Sequence, residues 1–284
     1  LFRSLAARWV LGDNPRVLYL PFVTPDRSFR IALKPDLILD VGSVNPTYVA
    51  LADRVQQQTG IPYALLDGRF DGIPLGYRTL GTLIGRREQG EGLARNAEDT
   101  MKTITQRVGS IPPDRRPRVY YARGPRGLET GLGGSINVET IELVAQNVAG
   151  GTRGGLANVS IEQVLLWNPD VIITIDQDFA ANVSSDPAWA PVAAVRAHRV
   201  HLSPKLPFGW VDFPPTVNRL IGLWWLAKIL YPDLFPEDLR ALTHEFYARF
   251  YHVMYNMDDP DCPMMPSMAG QVLPCARRPS ISKT

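Results

Sequence analysis

"SIEQVLLWNPDVIITI", from Ser160 to Ile175, reads as one helix, one turn and one buried strand. A weaker echo, "SFRIALKPDLILDV", runs from Ser28 to Val41. Aligning Pro35 with Pro169 puts Asp36 on Asp170, and Leu37, Ile38 and Leu39 on Val171, Ile172 and Ile173. Short apolar runs bounded by Pro and Gly are the mark of strands covered on both faces. A unit used twice in one chain predicts two halves of like construction.

The residues around each copy extend the pattern. After "PDLILDVG" comes "NPTYVALADRVQQQTG", a helix with Asn45 as N-cap, Pro46 in its first turn and Gly60 as its stop. "PYALLD" then reads as a strand and "GIPLGYRTLGTLIG" as a helix. The stretch from Arg86 to Val108 predicts a helix about 30 Å long, with a buried stripe of Leu93, Ala97, Met101, Ile104 and Val108. "IPPDRRP" follows as a stiff linker. The second run begins with the strand "RVYYAR" and the helix "INVETIELVAQNVAG". It continues with the helix "SIEQVLLWN", the strand "DVIITI", a short helix in "WAPVAAVRA" and the strand "RVHLSP". "PTVNRLIGLWWLAKILYP" is a helix rich in large apolar groups, so it is expected to be packed on both sides. "PEDLRALTHEFYARFYHVM" closes the run as a last helix.

Strand and helix in alternation give the fold class: α/β, two Rossmann-like lobes with parallel sheets joined by one long helix. The expected boundaries are an N-terminal lobe over 1–85, a linking helix over 86–109, a C-terminal lobe over 110–257 and an irregular tail over 258–284. Within the opening stretch, "RVLYLPFV" can supply a strand. The chain begins at Leu1, and no signal peptide is expected within these residues.

Composition excludes several classes. A net charge of +2 over 284 residues gives no basic face for general nucleic-acid binding. The longest apolar stretch, "LIGLWWLAKILY", is too short to cross a bilayer and contains Lys228. Cys262 and Cys275 both lie in the tail, where they form either one small disulfide loop or two free thiols. No set of three or four converging ligands is legible around His198, His201, His244 and His252, so no bare metal site and no cofactor is expected. "GGTRGG" lacks the ending of a phosphate-binding loop and reads as a flexible connection.

The two "PDLI"-type units, the linking helix and the stretch "PFGWVDFPPTVNRLIGLWWLAKILYPDLF" together resemble the solute-binding proteins of iron-complex, haem and cobalamin ABC importers. The resemblance covers about Ile31 to Tyr251. It implies a periplasmic protein, or one lipid-anchored outside the membrane. It implies a monomer that captures a metal complex such as a ferric siderophore, haem or corrinoid, then delivers it to an ABC permease in the inner membrane. In such proteins an exposed glutamate before each "PDLI" strand docks onto permease arginines. Glu162 falls at that position in the second lobe; the first lobe has Ser28 there, and Arg30 where the second has Val164. The resemblance also implies a strand and a helix upstream in the first lobe, more than thirty residues can hold. The first lobe therefore reads as shortened.

Ligands of two-lobed α/β proteins lie outside the carboxyl ends of the strands. That rule nominates Ser43, Asn45 and Tyr48, then Gly68, Arg69 and Phe70, then Arg123, Gly124 and Glu129, then Asp176 and Gln177, then Lys205, Phe208, Gly209 and Trp210. Arg69 and Arg123 each follow a strand directly, and a guanidinium fork suits carboxylate, phosphate or oxyanion groups. Arg69 could equally pair with Asp67 or Asp71. Tyr120 and Tyr121 must face opposite sides of their strand, so one is core and the other, Tyr121, is a candidate for the ligand. Phe208, Trp210 and Phe213 stand beside Asp212 just before a helix, where they suit either a flat, partly apolar chelate or a hydrophobic staple on that helix. The expected ligand set is Arg69, Tyr48, Tyr121, Arg123, Asp176, Phe208 and Trp210, with Glu162 for docking. Other readings are an oxyanion binder for molybdate or tungstate, a family member without a transport role, and an enzyme or cofactor-assembly protein on a similar frame. The last would need a cysteine set or a histidine in the cleft, and no catalytic residue is expected.

Overall fold

The computed structural model describes residues 17–19, 35–252, 265–266 and 272–273. Ser28, Arg30, Cys262 and Cys275 lie outside the described residues, and so do the expectations that rest on them. The chain divides into two compact units, Leu1–Asp99 and Thr100–Thr284.

In the first unit β1 (Val17–Tyr19), β2 (Leu37–Gly42) and β3 (Tyr63–Asp67) form a parallel sheet in that order. Between β2 and β3 runs α1 (Pro46–Thr59). Asn45 caps it, its Oδ1 accepting from the N–H groups of Thr47 and Tyr48 at 3.0 and 3.1 Å. Gly60 ends it in the left-handed region at φ 67°. Both ends were legible because capping chemistry is local. α1 lays Val55 on Ile38, a small core completed by Leu51, Ile61 and Tyr63.

α2 (Ile73–Leu83) leads to α3 (Arg87–Gly109), inside which the division between units falls. α2 and α3 meet backbone to backbone. A Cβ on Gly90 would lie 2.5 Å from the Tyr77 carbonyl oxygen and 3.0 Å from the Cα of Gly81. The buried stripe of α3 is therefore Gly90, Ala94, Ala97, Thr100, Ile104 and Val108. Leu93 and Met101, expected in it, are half-buried beside it, because the close crossing favours small side chains.

The second unit is built on four parallel strands in the order β6-β4-β8-β9: β4 (Arg118–Ala122), β6 (Gln146–Asn147), β8 (Val171–Thr174) and β9 (Val200–Leu202). A small antiparallel pair, β5 (Glu129–Gly131) with β7 (Leu156–Asn158), sits beside it. α4 (Glu139–Val144), α5 (Ile161–Trp167), α6 (Gln177–Asn182) and α7 (Ala193–Arg196) connect the strands. α8 (Arg219–Leu230) and α9 (Leu239–Tyr251) follow. On one face, Tyr120, Ala122 and Ile172 pack with Val164, Phe179, Trp189 and Val192. α8 buries all but Trp224 and Lys228, as expected of a helix with large apolar groups on every side. Its Arg219, fully buried, reaches Glu139 of α4 at 2.8 Å. Breaking such a pair would strand a charge in the core.

Two further expectations need correction. The helix expected over Ile136 to Gly150 stops at Val144, because the next residues join the sheet edge. Gln146 N–H donates to Pro117 O at 3.0 Å and Val148 N–H to Val119 O at 3.0 Å. The "GGTRGG" segment is laced down rather than loose: Gly133 N–H donates to Thr152 O at 2.8 Å and Gly154 N–H to Gly133 O at 3.2 Å. Within the stretch expected as an irregular tail, β10 (Met265–Pro266) and β11 (Val272–Leu273) pair antiparallel.

Candidate functional site

In the second unit β4 connects first to β6 on one side, and the chain then crosses to β8 on the other. Ligands of open parallel sheets bind outside the strand ends at such a switch point. Arg123 follows β4 there, and Asp176 follows β8.

Arg123 is the centre of a buried polar network. Its Nη1 donates to Glu129 Oε2 at 2.8 Å. Its Nε lies 3.4 Å from Asp212 Oδ2, within ion-pair range but outside hydrogen-bond geometry, so this buried N–H makes no hydrogen bond. Asp212 has no exposed surface. Its carboxylate accepts from the Tyr121 hydroxyl at 3.0 Å and from Asn137 Nδ2 at 2.8 Å. Burial, then the charge of Asp212, pushes the Tyr121 phenol far above its ordinary pKa, with Arg123 opposing. Tyr121 is thus a neutral hydrogen-bond donor inside the protein. The Arg123 guanidinium also lies 5.9 Å from the ring centres of both Tyr121 and Phe213, in cation–π range.

The loop after β9 brings Asp212 and Phe213 to this point. Trp210 anchors it: its N–H donates to Pro204 O at 2.9 Å and its Nε1 to the Tyr247 hydroxyl at 3.0 Å. Asn218 Nδ2 donates to Phe208 O at 2.9 Å. The loop rests on the backbone of α8 at Gly222, where a Cβ would lie 2.6 Å from the Trp210 carbonyl carbon. Phe213 leaves this anchored segment at φ 67° with its ring 69% exposed. A bulky residue in the left-handed region is strained, and strain of that kind gathers where function holds it.

The expected residues divide as follows. Arg123 stands in the network. Tyr121 stands there too, but as an interior donor, because both Tyr120 and Tyr121 are fully buried; the Tyr120 hydroxyl donates to Gly127 O at 2.8 Å. Trp210 is core rather than a surface for a ligand, since its bulk pins the loop. Phe208 is half-buried, and its carbonyl is taken by Asn218. Asp176 caps α6, its Oδ1 accepting from Phe179 N–H at 3.0 Å. In the first unit Arg69 is half-buried at the end of β3, with its N–H on Asp67 Oδ1 at 2.9 Å. Tyr48, 42% exposed, sits in the first turn of α1. Asn137 was missed, because the sequence placed it inside a helix; nothing local signals its reach to Asp212.

Glu162 is exposed in the first turn of α5. Its own backbone N–H and the Ser160 hydroxyl lower its pKa, so it presents a carboxylate to solvent. Among the described residues no three His, Cys, Asp or Glu converge as metal ligands, and no helix is long and apolar enough to cross a membrane.

A family model described as periplasmic binding protein matches residues 31–206. The molybdate-binding protein MolA of Haemophilus influenzae is 30% identical over 249 residues, 81% of this chain and 70% of that protein. Its molybdate-bound structure superposes with a TM-score of 0.67, at 27% identity, over 81% of this chain and 76% of that one. An ABC transporter solute-binding protein from Sulfurospirillum deleyianum superposes with a TM-score of 0.77 at 31% identity, over 83% of this chain and 74% of that one. An uncharacterized ABC transporter substrate-binding lipoprotein of Bacillus subtilis, YvrC, is 27% identical over 219 residues, 73% of this chain and 65% of that protein.

Proposed function

The chain belongs to the periplasmic binding protein family, and from that premise, as the substrate-binding component of an ABC transporter, we propose that it captures an oxyanion of the molybdate class on Arg123. The carrying observation is a nearly buried guanidinium at the switch point of a parallel sheet, whose Nη1 is paired with a carboxylate that is itself 40% exposed. Guanidinium groups match tetrahedral oxyanions through paired N–H donors. The likeness to a molybdate-binding protein supports the same choice. Arg69, at the end of β3 in the first unit, is a separate candidate cation. Binding by preformed groups involves no chemical step, so this reading assigns no catalytic residue.

Isothermal titration of the full chain with molybdate, tungstate and sulfate tests it. Molybdate or tungstate should bind, and Arg123→Lys should weaken binding about 10- to 100-fold, as expected for charge-assisted hydrogen bonds. Lysine keeps a charge near Asp212, and circular dichroism checks that the variant is folded. A protein that binds none of these oxyanions overturns the reading.

A second reading has its own observation. The exposed Phe213 ring beside Arg123 suits a flat anionic chelate, so a ferric siderophore, haem or corrinoid remains the rival ligand. Titration with these three, and loss of binding in Phe213→Ala, would favour it over the oxyanion.

Delivery is to an ABC permease in the inner membrane, with Glu162 as the docking carboxylate and the protein held outside that membrane. Glu162→Arg should leave ligand affinity unchanged and abolish transport in vesicles carrying the cognate permease. Undiminished uptake would remove Glu162 from docking.

A further inference from the structure

Arg123 and Glu129 are antiparallel bridge partners: Arg123 N–H donates to Glu129 O at 2.8 Å and Glu129 N–H to Arg123 O at 3.3 Å. Residues so paired project their side chains on the same face, a few ångströms apart. The backbone therefore imposes the ion pair at 2.8 Å. The turn between them is fixed as well. It uses Gly124 and Gly127 at φ 71° and 67°, and a Cβ on Gly127 would lie 2.6 Å from Cδ2 of Phe179.

The two carboxylates on Arg123 differ. Asp212 is fully buried and held by Tyr121 and Asn137. Glu129 is 40% exposed, and among the described residues its side chain pairs with Arg123. An ion pair with an exposed partner is weak and can be exchanged, whereas a buried one cannot without stranding a charge.

We propose that Glu129 is an internal occupant of the Arg123 anion subsite. In the ligand-free protein its carboxylate takes the place on the guanidinium that the oxygens of an anionic ligand take. Capture is then the exchange of one anion for another, and Glu129 sets the affinity of the site. This rests on Arg123 being a ligand group, as proposed above. Once displaced, Glu129 stays tethered nearby and repels the ligand. That repulsion is proportional to the ligand's charge, so it is twice as large for a dianion as for a monoanion of the same shape.

The test is calorimetric titration of the full chain, as wild type, Glu129→Gln and Glu129→Asp. The probes are molybdate, a dianion, and perrhenate, a monoanion of the same tetrahedral form. Circular dichroism checks that each variant is folded. Glu129→Gln should tighten both anions, perrhenate about threefold and molybdate by more, up to about tenfold: giving up the Arg123 pair costs the same for each, while the repulsion doubles for the dianion. Glu129→Asp, whose carboxylate is drawn back by one methylene, should fall between. Binding by Glu129→Gln alone also supports the occupant role, while showing that the oxyanion is not the wild-type ligand. Wild-type binding that Glu129→Gln leaves unchanged or weakens overturns the inference and leaves the oxyanion reading standing. Equal gains for the two anions would support the exchange and remove only the repulsion from a displaced Glu129. If no variant binds either anion, both the subsite and its occupant fall.

Discussion

Alanine at Gly222 and alanine at Gly92 should shift stability in opposite directions. Both glycines lie inside helices, α8 and α3, and neither has a positive φ. Intrinsic propensity favours alanine at each by about 0.8–1 kcal/mol. At Gly92 nothing lies within 4 Å of the added Cβ, so the whole gain should appear. At Gly222 the Cβ would lie 2.6 Å from the Trp210 carbonyl carbon and 3.3 Å from its Cα. The obstacle is backbone, and Trp210 is held by Pro204, Tyr247 and complete burial. The loop must retreat by about 1 Å, and overpacking of that kind costs roughly 1–3 kcal/mol. Because both partners are main chain, the cost falls at the upper end, leaving about 2 kcal/mol of net destabilisation after the propensity gain. Urea unfolding followed by circular dichroism measures both variants. Tryptophan fluorescence follows the second unit, which holds Trp167, Trp189, Trp210, Trp224 and Trp225. Gly222→Ala should also weaken ligand binding, since Asp212 and Phe213 move with the loop. A Gly222→Ala midpoint at or above wild type would refute the claim that this helix supports the site by backbone contact.

Three further outcomes are expected. Asp238→Ala removes the N-cap of α9, where Oδ1 accepts from Arg240 N–H at 2.8 Å; the loss should be about 1 kcal/mol in the same urea assay. Arg107 pairs with Glu237 at 2.6 Å and lies over the rings of Trp224 and Phe235 at 5.8 and 5.2 Å. Arg107→Ala should cost about 1–2 kcal/mol, and Arg107→Lys should recover only part, because lysine lacks the planar stack. Burial, then the charge of Arg199, lowers the His201 pKa to about 4 from an ordinary 6.5. The unfolded chain binds the extra proton between those values, so this residue's contribution is intact above pH 6.5 and is lost as pH falls toward 4. His201→Asn should flatten the acid limb of Tm against pH, and an unchanged limb would remove His201 from the acid response.

The fold was legible because its signals are short-range. Asn45 and Gly60 bound α1 through contacts within four residues. The run Val171–Thr174 could only be a covered strand, and the uniform apolarity of α8 required burial on more than one side. Where the sequence reading failed, a distant partner had overruled the local pattern. The residues after Val144 had a helix-like pattern, but the edge of β4 offered them hydrogen bonds and took them as β6. Trp210 had the look of a ligand platform, but Tyr247 and the bare backbone at Gly222 draw it into the core.

The sequence by itself determined the parallel α/β plan, both ends of α1 and the presence of Arg123 at a strand terminus. The tertiary structure alone decided that Tyr121 and Asn137 meet Asp212 across 91 and 75 residues of chain, and that Glu129 rather than solvent faces Arg123. Caps and periodicity act over a single turn or pleat, so they can be read one window at a time. A buried carboxylate is tolerable only when donors converge on it, and that convergence exists only once the sheet, the β9 loop and α8 have packed together.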